Sequence, residues 1–368
     1  MLCCRGTFRA IHPREIVPPL AETLWPVLER VSRSFALSIA VLPPSLREPI
    51  GLAYLLARAA DTIADTRIVP RPDRLGYLDL LRQELDLPAG SRAGEIAEGL
   101  TGPQRMPAEG ELLIRLPECL SALRELAAGD RAHVRRLLLT LITGMQTDLR
   151  TFPGQDEGAI IALESRDDLD RYTYYAAGCV GEFWTDMVMA HRPACGRWDA
   201  EGMRRLGVRF GQALQMTNVL RDLPQDLRIG RCYLPRQDLA AAGLTPADLL
   251  DPAAISRLRP VLRELLTAAL ECYDDAWAYT RALPRREWRV RLACAWPMLI
   301  GLQTLERIGQ AANLLDPRVT VKISRSTVYG LVLSSSIRVW SNAALRRPVQ
   351  AAGRRARAAV SVELPRCR

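Results

Sequence analysis

Apolar residues return at three- and four-residue steps along most of this chain, and strict apolar–polar alternation is scarce. The segments "RLLLTLITGMQTDLR" (136–150) and "LRELLTAALECYDDAWAYTRAL" (262–283) keep the helical period over several turns. The pattern predicts an all-α protein. Breakers gather at "VLPPSLREP" (41–49), "LPAGSRAGEIAEGLTGPQRMPAEG" (87–110), "RPACG" (192–196) and "LPRQDLAAAGLTPADLLDP" (234–252). Proline and glycine at that density predict interhelical loops, with 87–110 the longest and least ordered. GxGxxG is absent, as is any internal repeat, so a single all-α domain is expected.

The apolar pattern breaks in two informative places. In "GLAYLLARAADTIADT" (51–66), Tyr54, Arg58, Asp61 and Asp65 step by four, three and four, and so share one helix face. Two carboxylates about 6 Å apart repel by roughly 2.8 kcal/mol at an effective dielectric of about 20. Against a domain stability of about 5–15 kcal/mol, that cost calls for an offsetting cation or for water. In "FGQALQMTNVLRDLPQDLRIGRCYLP" (210–235), Gln215, Asn218, Asp222 and Asp226 repeat the device with Arg221 beside them. One such stripe reads as a solvated helix face. Two, each set in an apolar helix with an arginine at hand, point to a shared task.

Carboxylate and amide oxygens are hard donors suited to Mg²⁺, which keeps several waters and takes further ligands from substrate phosphates. A di-iron bundle would require Glu-x-x-His motifs. His12, His133 and His191 lie beside neither aspartate pair. The expectation is a diphosphate held through Mg²⁺, whose charge makes diphosphate a competent leaving group. A third segment, "DLDRYTYYAAGCVGEFWTDM" (168–187), mixes aromatic and small residues. Ala176, Ala177, Gly178 and Gly181 there admit either a long apolar ligand or close helix–helix packing, with Tyr172 and Glu182 as polar groups inside the pocket.

With 368 residues, 48% of them hydrophobic and 25% charged, the chain is long enough for one large core. It holds no run of about 20 apolar residues to cross a bilayer, and its N-terminus does not read as a secretory signal. Nine cysteines without CxxC spacing read as reduced thiols in a cytoplasmic protein and make structural zinc a poor reading. The net charge of +9 is concentrated at the C-terminal end. From Arg338 onward there are eight arginines against Glu363 alone, a balance of +7. Together with the apolar "STVYGLVLSSSIRVW" (326–340), that basic end suggests a peripheral contact with the inner face of the membrane. Without interleaved aromatics, no nucleic acid is expected.

At these motifs the chain resembles the squalene/phytoene synthase family, the head-to-head branch of the trans-isoprenyl diphosphate synthases. The resemblance runs over about residues 27–335 and rests on "SRSFALSI" (32–39), "YLLARAADTIAD" (54–65), "YTYYAAGCVGE" (172–182) and "NVLRDLPQDLRIGRCYLP" (218–235) in that order. It implies a single-domain isoprenoid synthase bundle around a central hydrophobic cavity, with an N-terminal extension (1–26), a catalytic domain (27–335) and a basic tail (336–368). By the same resemblance Asp61, Asp65, Asn218, Asp222 and Asp226 hold Mg²⁺. Ser32, Arg33, Arg58, Gln215, Asn218, Arg221 and Arg231 contact diphosphate, and Tyr172 assists ionisation or proton removal. Phe35 and Tyr54 line the cavity. "SRSF" and "VKISR" (321–325) are closer to squalene synthases than to phytoene synthases, which implies NADPH phosphates held by Lys322 and Arg325. As an ordinary motif, "VKISR" is a solvated basic turn.

Three departures bear on this expectation. Ala64 and Gln225 stand where the family often has acids, and Met298 stands where squalene synthases tend to have glutamine. The last bears on the reductive half-reaction more than on condensation. The implied activity joins two farnesyl diphosphates, or longer prenyl diphosphates, to presqualene diphosphate and reduces it with NADPH to squalene. Enzymes that stop at presqualene diphosphate or make dehydrosqualene or phytoene are the near alternatives. A non-catalytic assembly factor or a nucleic-acid-binding helical protein is the distant one. Oligomeric state is not legible in the chain.

Overall fold

The computed structural model describes residues 24–361, apart from 33–34, 87–91, 103–105, 155–157 and 317. Arg33 therefore lies outside the described residues. The elements in chain order are α1 (Trp25–Ser32), α2 (Phe35–Ala40), α3 (Pro44–Asp65), α4 (Arg71–Glu84), α5 (Ala93–Thr101), α6 (Pro107–Ile114), α7 (Leu116–Glu125) and α8 (Ala128–Thr151). There follow β1 (Ile161–Ala162), α9 (Arg166–Thr173), α10 (Cys179–His191), α11 (Ala200–Leu227), β2 (Arg231–Cys232) and α12 (Arg236–Ala241). The chain continues through α13 (Ile255–Ala282), α14 (Trp288–Gln310), α15 (Arg325–Arg338) and α16 (Asn342–Ser361). The fold is all-α, as the periodicity predicts. The two strands are a single parallel bridge, Ile161 opposite Arg231 and Ala162 opposite Cys232.

One core joins Leu24, before α1, to Ala356 of α16. On α3, Leu52, Leu55, Leu56, Ala59 and Ile63 are buried, leaving the stripe of Tyr54, Arg58, Asp61 and Asp65 on the other side. The cavity described below lies among α3, α8, the α9–α10 segment and α11. A capping box starts α9: Ser165 Oγ accepts from the Asp168 N–H (3.3 Å) while the Asp168 carboxylate accepts from the Ser165 N–H (3.0 Å). A π turn, Tyr174–Gly178, then carries the chain into α10, the kind of helical irregularity that often accompanies function.

Three expectations about loops are corrected, the first being that 234–252 contains α12, whose Leu239 is buried. The 87–110 stretch contains α5 and the start of α6. Ala93, Ile96 and Leu100 recur at helical spacing and are fully buried, and that burial overrides the local glycines. Part of 41–49 is the first turn of α3, where Pro44 at the N-terminus gives up an N–H that has no helical partner anyway. The basic C-terminal stretch is also structured. Residues from 336 complete α15 and form α16, whose Val349, Ala352 and Ala356 enter the main core. Cys119, Cys179, Cys195, Cys232, Cys272 and Cys294 are buried free thiols.

The small residues of the third segment divide between the two roles open to them. A Cβ on Gly181 would sit 1.9 Å from the Gly207 carbonyl oxygen, and one on Gly211 would sit 2.1 Å from that of Ala177. These residues let α10 and the π turn lie directly on the α11 backbone. Ala176, one position along, lines the cavity instead.

Candidate active site

Both aspartate pairs occupy the last two turns of their helices, Asp61 and Asp65 at the end of α3 and Asp222 and Asp226 at the end of α11. The carbonyl end of a helix carries partial negative charge, so carboxylates placed there make a site that favours cations. Pro224 sits between the second pair and removes the amide bond to the Leu220 carbonyl from that turn.

The two pairs face one cavity of about 940 Å³, near the upper end of small-molecule sites. Its wall includes Arg58, Asp61, Asp65, Tyr172, Gln215, Asn218, Arg221, Asp222, Asp226 and Arg231. Apolar side chains, among them Leu141, Met145, Leu149, Phe152 and Val219, complete it. Arg58 is ion-paired with Asp61 and with Glu109. Arg221 grips Asp222 through two hydrogen bonds, at 2.7 and 2.5 Å. The arginine beside Asp61 is thus part of the offset that its repulsion with Asp65 requires, and Asp65 itself is exposed.

In each pair one carboxylate favours protonation of the other. Burial and the Asp65 charge push the Asp61 carboxyl up to about 7, against the pull of Arg58. Burial and the Asp222 charge push Asp226 to about 7 as well; Arg231 opposes this, and Asp148 and Asp65 add to it. Asp65 on α3 therefore acts on Asp226 of α11 across the cavity. Burial is the larger cause of both shifts, and the neighbouring carboxylates add to it. Among the described residues, no three His, Cys, Asp or Glu side chains converge on a point where one ion would bind. The donors stand as two opposed pairs with Asn218 between them in sequence, a set that fits Mg²⁺ completed by water and phosphate oxygens better than an all-protein cage.

A second polar cluster supports the wall. Tyr172 and Tyr233 stack with ring centroids 4.2 Å apart. Tyr233 Oη donates to Asp148 (2.9 Å), and Arg231 pairs with the same carboxylate (2.9 Å). Burial raises the Asp148 carboxyl, Arg231 and the Tyr233 hydroxyl lower it, and Asp65 raises it again. Gln215 Nε2 donates to Tyr172 Oη (3.0 Å), and Asn218 donates to Gln215 Oε1 (3.2 Å). The parallel bridge between β1 and β2 holds Arg231 and Tyr233 against this cluster. Asp148, Tyr233 and Glu109 were not singled out as site residues. Asp148 lies within the apolar "LLLTLITGMQTDL" run, where an acid on a buried helix was the available signal.

Other expected residues lie elsewhere. Ser32, Phe35, Tyr54, Lys322 and Arg325 are not among the residues lining the cavity. Ser32 is buried on α1, while Phe35 is exposed and its ring meets that of Tyr54 at 6.1 Å. Lys322 and Arg325 are exposed where the chain enters α15, and the Lys322 carbonyl accepts from Arg307 (2.8 Å). Glu182 is taken up by Tyr174, whose hydroxyl donates to it (3.0 Å), and does not line the cavity either.

An all-α bundle with two Asp-x-x-x-Asp helix ends on one cavity is the arrangement that the resemblance to isoprenoid synthases implies. The chain belongs to the squalene/phytoene synthase family, whose pattern matches residues 28–327. It is 32% identical to the presqualene diphosphate synthase of Zymomonas mobilis over 262 residues, 71% of this chain and 75% of that protein. It is 25% identical to the squalene synthase of Eremothecium gossypii over 313 residues, 84% of this chain and 66% of that protein. Among solved structures it resembles TcSQS in complex with the ligand E5700, with a TM-score of 0.68 and 19% identity over 92% of this chain and 97% of that one. The chain spans between 42% and 66% of the length of the first three curated relatives it matches.

Proposed function

We propose that this protein condenses two farnesyl diphosphates head to head into presqualene diphosphate in an Mg²⁺-dependent reaction. The observation that carries this reading is the pair of acidic helix ends opposed across one cavity, with Arg58 and Arg221 beside them. Asp61, Asp65, Asn218, Asp222 and Asp226 would hold the metal, and bound Mg²⁺ would neutralise charge on the departing diphosphate. Arg58, Arg221 and Arg231 add fixed positive charge near the same oxygens as the bond from carbon to diphosphate breaks. The allylic cation left behind is attacked by the double bond of the second prenyl chain, and loss of a proton closes a cyclopropane.

Burial raises the Tyr172 phenol above its ordinary value. Tyr172 therefore keeps its proton and serves as a neutral hydroxyl and a π face toward the cation, rather than as a phenolate base. The acceptor of the departing proton is then the released diphosphate. Leu141, Met145 and Phe152 keep water from trapping the cation as an alcohol.

A second reading continues to squalene by reduction with NADPH. It is favoured by the likeness to the Eremothecium squalene synthase and by "VKISR". Lys322 and Arg325 stand exposed outside the cavity wall, positions open to a cofactor's phosphates rather than to its hydride-bearing ring. Incubation of the purified chain with farnesyl diphosphate and Mg²⁺, followed by mass spectrometry with NADPH supplied and withheld, separates the readings. Presqualene diphosphate in both conditions supports the first, squalene with NADPH supports the second, and no diphosphate release refutes both.

A further inference from the structure

Helix α15 is anchored on one side only. Ser335 is fully buried and accepts a hydrogen bond from Trp296 Nε1 (2.9 Å), while Val332 and Val339 pack with Leu292 and Trp296. On the remaining surface Tyr329, Leu333 and Ile337 recur at four-residue steps, and Trp340 continues them in the turn after the helix; they are 64%, 67%, 71% and 54% exposed. Isolated exposed apolar residues are ordinary, whereas a contiguous ridge of four large ones marks an interaction surface.

The charge around this ridge has one sign. From Val319 to Ser361 the chain carries eight lysines and arginines and no aspartate or glutamate. Lys322 and Arg325 stand exposed before the ridge and Arg338 within it. Arg355 and Arg357, on α16, are paired with Glu306 and Asp274 of the body, so the cations nearest the ridge are not the ones those acids neutralise. At the far end Trp340 lies 5.3 Å from Trp288, whose ring is in turn covered by the Arg289 guanidinium at 5.2 Å.

We propose that the α15 ridge docks this protein on an anionic lipid bilayer. The helix is 14 residues long, about 21 Å, and would lie in the plane of the surface. Leu333 and Ile337 would enter the acyl boundary, with the Tyr329 and Trp340 rings at headgroup level and the flanking cations against lipid phosphates. No helix among the described residues is long and apolar enough to cross a membrane, so the contact is peripheral. Charge decides between a bilayer and a second copy of the chain. Two like ridges would bring cations together with no acid on α15 to pair with them, whereas an anionic bilayer supplies the opposite charge.

The test is flotation of the full chain with vesicles of phosphatidylcholine containing about 30% phosphatidylglycerol, beside vesicles of phosphatidylcholine alone. Binding is expected to the anionic vesicles only, and to weaken as salt is raised. The double substitution Leu333→Gln with Ile337→Gln removes exposed apolar groups without touching the core, and should weaken binding at least about tenfold. Its circular dichroism should remain that of the parent. Absence of binding by the parent chain, equal binding to both vesicle types, or full binding by the double variant overturns the proposal. So does concentration-dependent self-association that the double variant abolishes while vesicles are ignored, since it would assign the ridge to a second copy. Flotation reads binding alone and is independent of which product the enzyme makes.

Discussion

Asp148→Ala should destabilise this protein more than any single substitution among the four cavity aspartates. The Asp148 side chain is 13% exposed, and it balances Arg231, which is 12% exposed, at 2.9 Å. It also accepts the Tyr233 hydroxyl. Removing one partner of a buried pair leaves an unpaired charge and costs about 3–5 kcal/mol. With an unfolding entropy of about 2.1 cal/mol/K per residue, 368 residues give roughly 0.8 kcal/mol per degree, so the melting midpoint should fall by roughly 4–6 °C. Asp148→Asn keeps an acceptor for Tyr233 but no charge for Arg231, and should fall between alanine and the parent. Asp222→Asn is the control, since Asp222 is 31% exposed toward the cavity. Thermal melting followed by circular dichroism at 222 nm reads all three. An unchanged midpoint for Asp148→Ala would refute the claim that Arg231 depends on this carboxylate.

Asp61→Asn and Asp222→Asn should keep the parent's circular dichroism while diphosphate release falls by about 100-fold or more, and wild-type turnover would argue against the metal assignment. In metal-free protein, Asp61 and Asp226 titrate near 7, well above the ordinary carboxyl of an unfolded chain at about 4. The folded state then binds more protons across that window, so stability should fall as pH rises from about 4 to 7. Added Mg²⁺ should raise the melting midpoint more at pH 8 than at pH 6, and equal shifts would contradict the coupling. Gly181→Ala drives a methyl into the Gly207 carbonyl and should cost about 1–3 kcal/mol in urea denaturation, while Gly76→Ala, inside α4 with open space around it, should stabilise by up to about 1 kcal/mol.

Most of the chemistry was legible before any fold was known, because it is written in local periodicity. The stripes ending in Asp61–Asp65 and Asp222–Asp226 need only helical geometry to share a face, and Arg58 and Arg221 lie within a turn of them. Ala177 and Gly181 were legible as small residues with two open roles; only the fold set them against Gly211 and Gly207 of α11, because those partners come from another element. Ala93, Ile96 and Leu100 were obscured by neighbouring glycines and prolines, whose local signal is weaker than full burial.

What the amino-acid order determined by itself is the all-α character, the two acidic faces and the family resemblance. Each depends on residues within a few turns of one another. Only the tertiary structure decided that the two faces meet across one cavity, so that Asp65 raises the carboxyl of Asp226. It also brought Asp148 of α8 to Arg231 and Tyr233 of the β2 segment, and left Lys322 and Arg325 outside the cavity wall. The physical reason is range. Helical period is set by backbone geometry over a few residues, whereas charge coupling, burial and ion pairing depend on distances between segments far apart in the chain, which packing alone determines.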